Sequence, residues 1–97
     1  MKKIGGNYFS VISNRATIGH HNSISSQGVF IMSNAIITNG VEIGEGTILY
    51  HGSRVGHNQS IGPYCLISSS ATILESKFGE GVLIGYGASI CKDIEIG

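Results

Sequence analysis

Large apolar residues recur along this chain at intervals of six. Fifteen aliphatic or aromatic positions, the first at Ile12, are joined by twelve steps of six residues, one of seven and one of five. The step of seven joins Ile24 to Ile31, and the step of five joins Ile73 to Phe78. A period of six matches neither the helical period of 3.6 residues nor the two-residue alternation of an ordinary strand. The pattern therefore predicts a repeat architecture.

A six-residue unit fits a short strand that points one small and one large residue inward and then turns a corner. Small residues often lie two positions before the large ones, as Ala35, Cys65 and Ala71 do. Three such units close a triangular coil of about 18 residues, and coils stack at the ~4.8 Å spacing of paired strands. The sequence therefore predicts an all-β parallel β-helix (solenoid) of about five triangular coils. Its large residues should stack in three columns: Ile12, Ile31, Leu49, Ile67 and Ile84; Ile18, Ile37, Val55, Ile73 and Ile90; Ile24, Ile43, Ile61, Phe78 and Ile96.

The two ends of such a solenoid expose unpaired strand edges, which natural repeat proteins cover. We expect residues 1–10 to form an N-terminal cap over the first coil, with Ile4, Tyr8 and Phe9 as apolar contacts. Residues 11–97 are expected to form the β-helix domain. The edge at residues 94–97 is expected to be frayed or paired with another molecule.

The composition supports the all-β prediction and excludes several functional classes. The chain has 16 Ile but only 4 Leu, together with 15 Gly, and this β-branched, glycine-rich usage is atypical of helical proteins. Six basic and six acidic residues leave no electrostatic case for nucleic acid or for an anionic membrane surface. No apolar run approaches the ~20 residues of a membrane helix. The beginning of the chain does not read as a signal peptide, so we expect a cytoplasmic location.

Three segments carry a resemblance to a known superfamily: IMSNAIITNGVEIG (31–44), GSRVGHNQSIG (52–62) and GEGVLIGYGASI (79–90). They resemble the hexapeptide-repeat acyltransferases, and within them the sialic acid O-acetyltransferase and sugar-nucleotide N-acetyltransferase group. The resemblance implies a left-handed parallel β-helix that works as a homotrimer.

The resemblance also implies an activity and its residues. It implies transfer of an acetyl group from acetyl-CoA to an amino or hydroxyl group of a small sugar or sugar nucleotide. The family's general-base histidine falls on His57. The coenzyme would lie in the groove between subunits and touch backbone at Gly85 and Gly87. The family's acidic residue after the histidine is replaced here by Asn58.

Residues at one corner of successive coils should stack, and His57 then has Glu75 one coil away. This carboxylate could stand in for the missing acid, because it would hold one ring nitrogen protonated and raise the basicity of the other. The alternative is a polar ladder on a solvated corner, which any β-solenoid must display.

The other histidines and the cysteines have simpler interpretations. His51 could line an intersubunit groove or pack in an interface, and His20 and His21 are expected at the surface. His51 and His57 are six residues apart and so lie at different corners, and no metal site is expected. Cys65 occupies an inward small position and is expected to be buried.

Two functions therefore stay open. The first is the acetyltransferase, with His57 and Glu75 as catalytic residues. The second is a non-catalytic trimeric scaffold, a truncated solenoid that has lost its coenzyme and acceptor sites.

Overall fold

A computed structural model describes residues 10–90 and 94–97. Each hexapeptide contributes one strand of two residues, and turns join the strands. No helix occurs in these residues, and hence none that could cross a membrane. The fifteen strands are β1 Val11–Ile12, β2 Thr17–Ile18, β3 Ser23–Ile24, β4 Phe30–Ile31, β5 Ile36–Ile37, β6 Glu42–Ile43, β7 Ile48–Leu49, β8 Arg54–Val55, β9 Ser60–Ile61, β10 Leu66–Ile67, β11 Thr72–Ile73, β12 Lys77–Phe78, β13 Leu83–Ile84, β14 Ser89–Ile90 and β15 Glu95–Ile96.

The strands form three parallel five-stranded sheets, one for each side of a triangular prism. Sheet A has the order β1-β4-β7-β10-β13, sheet B β2-β5-β8-β11-β14, and sheet C β3-β6-β9-β12-β15. The second residue of every strand is one of the fifteen large residues, and the registers pair them within each column, as Leu49 pairs with Ile67. The predicted β-solenoid of five coils and its three columns are confirmed.

Three sets of corners join the sheets. The A–B corners are residues 13–16, 32–35, 50–53, 68–71 and 85–88; the B–C corners are 19–22, 38–41, 56–59 and 74–76; the C–A corners are 25–29, 44–47, 62–65 and 79–82. Gly44, the first residue of a C–A corner, shows why glycine often follows the large residue. A Cβ there would lie 2.6 Å from the backbone nitrogen of Pro63 in the next coil, so the coils could not stack at this spacing.

The core is a column of apolar side chains along the prism axis. It is sealed in the central coils, where Leu49, Ile67 and Ile73 are completely buried, and looser in the first coil, where Ile12 is 45% exposed. An inward residue of a central coil packs against a coil on each side. This explains why it is more deeply buried than an inward residue of the first coil. Strand β15 pairs with β12 of the preceding coil. Of the predicted cap, residues 1–9 lie outside the described part of the chain.

Polar side chains also point into the prism, where they cap backbone amides of the following coil. The hydroxyl of Ser10 accepts a hydrogen bond from the N–H of Val29, and the hydroxyl of Thr47 accepts one from the N–H of Cys65. The amide oxygen of Asn22 accepts from Val41 in the same way. Because a buried N–H without a partner is costly, these inward polar residues stabilise the corners they reach.

Candidate functional site

His57 and Glu75 lie side by side on the B–C corners of consecutive coils. Val55 and Ile73 end the paired strands β8 and β11, and each candidate residue follows two positions later. The imidazole Nδ1 is 3.3 Å from the carboxylate Oε2. The His57 side chain is 63% exposed and that of Glu75 is 32% exposed. The juxtaposition predicted from the repeat is therefore present, and the imidazole is accessible from solvent.

The backbone that carries His57 is held from both sides. Before it, Gly56 is buried, because the side chain of Leu74 in the next coil lies directly over it. After it, Asn58 has a positive φ of 57°, a conformation that asparagine tolerates better than most residues. The N–H of Asn58 donates to the carbonyl of Asn39 in the preceding coil, over 3.0 Å. The corner thus has a defined shape that projects the imidazole outward.

Glu75 lies in a B–C corner of only three residues, 74–76. The B–C corner of the preceding coil, 56–59, has four. Its φ is +38°, which is unusual for a residue with a side chain. The residue after it, Ser76, is 3% exposed and is bound through both its N–H and its hydroxyl to the amide oxygen of Gln59. The five-residue step noted in the sequence is therefore this short corner.

The contact between His57 and Glu75 determines what the imidazole can do. A carboxylate accepts hydrogen bonds, so Glu75 favours the tautomer with the proton on Nδ1. The second nitrogen, Nε2, is then an acceptor in an exposed ring. A distance of 3.3 Å is at the long end for a hydrogen bond of this type.

Glu75 also borders an open pocket of about 350 Å³ at the end of the prism where the last coil lies. Its wall includes Ser76, Lys77, Ile94 and Glu95. The pocket wall carries charges of both signs, and of the two candidate residues it includes Glu75.

The two glycines expected to touch the coenzyme lie on a different corner. Gly85 and Gly87 belong to the last A–B corner, whereas His57 lies on a B–C corner, so sheet B separates them. Both glycines are exposed, and a Cβ at either position would meet no atom within 4 Å. Their backbone is therefore open to a ligand from outside the prism.

The remaining histidines do not join this site. His51 is exposed on an A–B corner, and the rings of His20 and His21 meet edge to face with their centroids 6.4 Å apart. Within residues 10–90 and 94–97, no three His, Cys, Asp or Glu side chains converge on a common point that could hold a metal ion.

Cys65 is buried, as predicted from its inward position. Its thiol lies 3.1 Å from the carbonyl of Gly79, and burial raises its pKa. A buried, protonated thiol is a poor nucleophile, so Cys65 has no catalytic character here. Cys91 lies outside the described residues.

The sequence analysis missed Gln59, which is 1% exposed and reaches from the corner of His57 to the corner of Glu75. A signal was present. Gln59 lies two residues before Ile61, at a position that the repeat normally fills with a small residue. A long amide at that position, one coil before the shortened step, was the indication of an inward polar contact.

Comparison with known proteins supports the family resemblance. Residues 26–57 match the family described as bacterial transferase hexapeptide (six repeats). No curated protein matches the chain. The resemblance to hexapeptide-repeat transferases is therefore confirmed over that segment, and the fold is shared over most of the chain.

Three solved structures share this fold. A hexapeptide transferase family protein from Anaplasma phagocytophilum is 21% identical with a TM-score of 0.57, over 87% of this chain and 60% of that one. A histidine-to-alanine variant of GDP-perosamine N-acetyltransferase from Caulobacter crescentus, in complex with CoA and GDP-perosamine, is 16% identical with a TM-score of 0.54. The match covers 95% of this chain and 52% of that one. A histidine-to-asparagine variant of perosamine N-acetyltransferase from Caulobacter crescentus, with the same ligands, is 19% identical with a TM-score of 0.54. The match covers 96% of this chain and 53% of that one. The chain thus spans between 52% and 60% of the length of these structures.

Proposed function

We propose that this chain is the β-helix part of an acetyl-CoA-dependent acetyltransferase acting on an amino or hydroxyl group of a sugar or sugar nucleotide. The observation that carries the proposal is the contact of 3.3 Å between Nδ1 of His57 and the carboxylate of Glu75, on an exposed corner. The fold shared with an N-acetyltransferase that binds CoA and GDP-perosamine supports it.

The mechanism is direct transfer, with His57 as general base. Nε2 of His57 removes the proton from the acceptor nitrogen or oxygen as that atom attacks the carbonyl carbon of the thioester. Glu75 keeps the proton on Nδ1 and stabilises the imidazolium that forms. When the carbon–sulfur bond breaks, the imidazolium returns its proton to the departing sulfur. The products are the acetylated acceptor and free coenzyme A, with no covalent enzyme intermediate.

The coenzyme supplies the activated acetyl group, and the open backbone at Gly85 and Gly87 would contact it. The site needs both substrates together, because a direct transfer brings thioester and acceptor into reacting distance. Since the glycines and His57 lie at opposite edges of sheet B, the coenzyme would extend along that sheet.

The outward residues of the three sheets differ in a way that favours a homotrimer. Sheet A presents only apolar side chains, of which Leu83 is 70% exposed and Phe30 38% exposed. Sheet C presents polar and charged ones, including Glu42, Lys77 and Glu95. An apolar stripe of five strands is unusual on an isolated surface, and a three-fold arrangement in which sheet A packs on the neighbouring subunit would cover it.

This arrangement also gives the site a second wall. A neighbouring subunit that faces sheet B would stand opposite both the B–C corner that carries His57 and the A–B corner that carries Gly85 and Gly87. A groove between subunits results, in which both substrates can be enclosed.

The test is acetyl transfer measured by release of the coenzyme thiol, with amino-sugar and hydroxyl-sugar nucleotides as acceptors. His57→Ala should lower kcat/KM by about 10²–10⁴-fold, the usual contribution of a general base. His20→Ala is the matched control, because His20 lies on the same set of corners two coils earlier, and it should retain the wild-type rate. Absence of coenzyme binding by calorimetry, together with absence of transfer, would favour the scaffold function.

A further inference from the structure

Gln59 is a long polar side chain in the interior of the prism. Its amide oxygen accepts two hydrogen bonds of 2.9 Å, from the N–H and from the hydroxyl of Ser76. Its amide nitrogen donates to the carbonyl of Ser60 over 3.2 Å. With 1% of Gln59 and 3% of Ser76 exposed, these bonds are shielded from water. They are therefore stronger than surface bonds and costly to break.

The short corner receives its inward hydrogen-bond acceptor from Gln59. Between β11 and β12 only residues 74–76 make the turn, whereas four residues, 56–59, connect β8 to β9. In four-residue corners too, the N–H of the last residue donates to a polar side chain of the preceding coil, as that of Val41 donates to Asn22. At the short corner the acceptor is the longer side chain of Gln59, which accepts hydrogen bonds from both the N–H and the hydroxyl of Ser76.

The same bonds connect the two corners of the candidate site. Gln59 follows His57 by two residues, and Ser76 follows Glu75 directly. Glu75 has a φ of +38°, whereas the five other non-glycine residues with a positive φ, each next to last in its corner, have values of 57–64°. The bonds from Gln59 to Ser76 hold Glu75 on the inner side, while the carboxylate meets the imidazole on the outer side.

We infer that Gln59 is a positioning residue for the His57–Glu75 pair. It acts through the backbone of Ser76, fixes the conformation of Glu75, and so sets the distance between carboxylate and imidazole. The inference rests on the proposed function for its catalytic consequence, and on the hydrogen bonds alone for its structural one.

The kinetic test is a double-mutant cycle with Gln59→Leu and Glu75→Gln. Leucine has a similar size but no acceptor for Ser76. Gln59→Leu should lower kcat by about as much as Glu75→Gln does, roughly five- to tenfold, with KM nearly unchanged. The double variant should be no worse than either single one, because both changes remove the same contribution. Additive losses in the double variant would overturn the inference.

A control variant separates the positioning of Glu75 from the general stability of the fold, and a replacement variant is available for Gln59→Leu. Thr47→Val removes a comparable buried cap on a C–A corner, where the hydroxyl accepts from Cys65 and donates to Gly62. It should lower the melting temperature and leave kcat unchanged. If Gln59→Leu does not fold, Gln59→Asn takes its place, since it retains the amide but is too short by one methylene to reach Ser76.

A second measurement does not depend on activity. Introduced alone, Glu75→Gln should change the NMR chemical shifts of the His57 ring. Introduced into the Gln59→Leu variant, the same substitution should leave those shifts unchanged. The amide of Ser76 should exchange with solvent at least tenfold faster in Gln59→Leu. Failure of the wild type to transfer an acetyl group would reject the proposed function alone. A His57 ring that still responds to Glu75→Gln in the Gln59→Leu background would reject the role of Gln59.

Discussion

Replacing Glu75 by glutamine isolates the charge of the carboxylate from its shape. Glutamine still offers an oxygen to the Nδ1 proton of His57, so the tautomer and the position of the ring should be retained. What disappears is the attraction between the carboxylate and the imidazolium that forms in the transition state. The variant therefore measures one electrostatic contribution at a distance of 3.3 Å.

The exposure of the pair sets the size of this contribution. Two unit charges at this separation interact by about 1.3 kcal/mol in a water-like dielectric, and by several times more in a protein interior. Because the imidazole is 63% exposed, the water-like limit applies. A loss of about 1 kcal/mol corresponds to a decrease in kcat/KM of roughly five- to tenfold.

The assay is the steady-state rate of thiol release at low and at high salt. In 1 M salt the Debye length is about 3 Å, so the difference between wild type and Glu75→Gln should shrink. Glu80→Gln removes an exposed carboxylate from a C–A corner and should have no effect. A loss as large as that of His57→Ala would refute the reasoning, because Glu75 would then act on substrate itself. An unchanged rate would refute it equally, because the carboxylate would then contribute nothing.

Three further predictions concern assembly, titration and packing. Leu66→Glu, on the apolar face of sheet A, should convert a trimer to monomers in analytical ultracentrifugation, whereas Ser60→Glu, on the polar face of sheet C, should not; a trimer that survives Leu66→Glu would exclude sheet A as the interface. Burial raises the pKa of the Cys65 thiol, so the unfolded thiol ionises first and the free energy of unfolding should fall as pH rises above about 8.5. Urea denaturation of Cys91→Ser with and without Cys65→Ser checks this, and equal slopes against pH would contradict it. Ile67→Ala, in a fully buried position, should lower the free energy of unfolding by about 2–5 kcal/mol in the same denaturation assay. A loss below about 1 kcal/mol would contradict this and would show that the core collapses around the gap.

The sequence alone was sufficient for the architecture, because the repeat specifies both the strands and their register. Once Val55 and Ile73 were placed in one column, counting two residues forward brought His57 next to Glu75. The same counting located the short corner. These predictions needed only the spacing of large residues. That spacing fixes the register of the strands, because a slip of one residue would turn an inward side chain outward.

Other features depend on conformation that spacing does not contain. The φ of +38° at Glu75, lower than the 57–64° of the other non-glycine residues with a positive φ, is one such feature of the three-residue corner. The role of Gln59 depends on whether its side chain reaches the N–H of Ser76, which is a matter of fractions of an ångström. The repeat marks Gln59 as a long side chain at an inward position, but it does not specify which backbone N–H that side chain caps.

The uniform register has a consequence for how the chain folds and how its length can change. Every strand pairs with one that is 17 to 19 residues away, from Val11 with Phe30 to Leu66 with Leu83. The entropy lost on closing each loop is therefore nearly the same for every coil and does not grow along the chain. Folding can begin at any well-packed coil and extend in both directions, as in other solenoids. Removing or inserting one whole coil would leave every remaining pair in register, whereas removing a single hexapeptide would move a strand to the wrong sheet. The natural unit of change in this molecule is thus the coil of about 18 residues and not the hexapeptide.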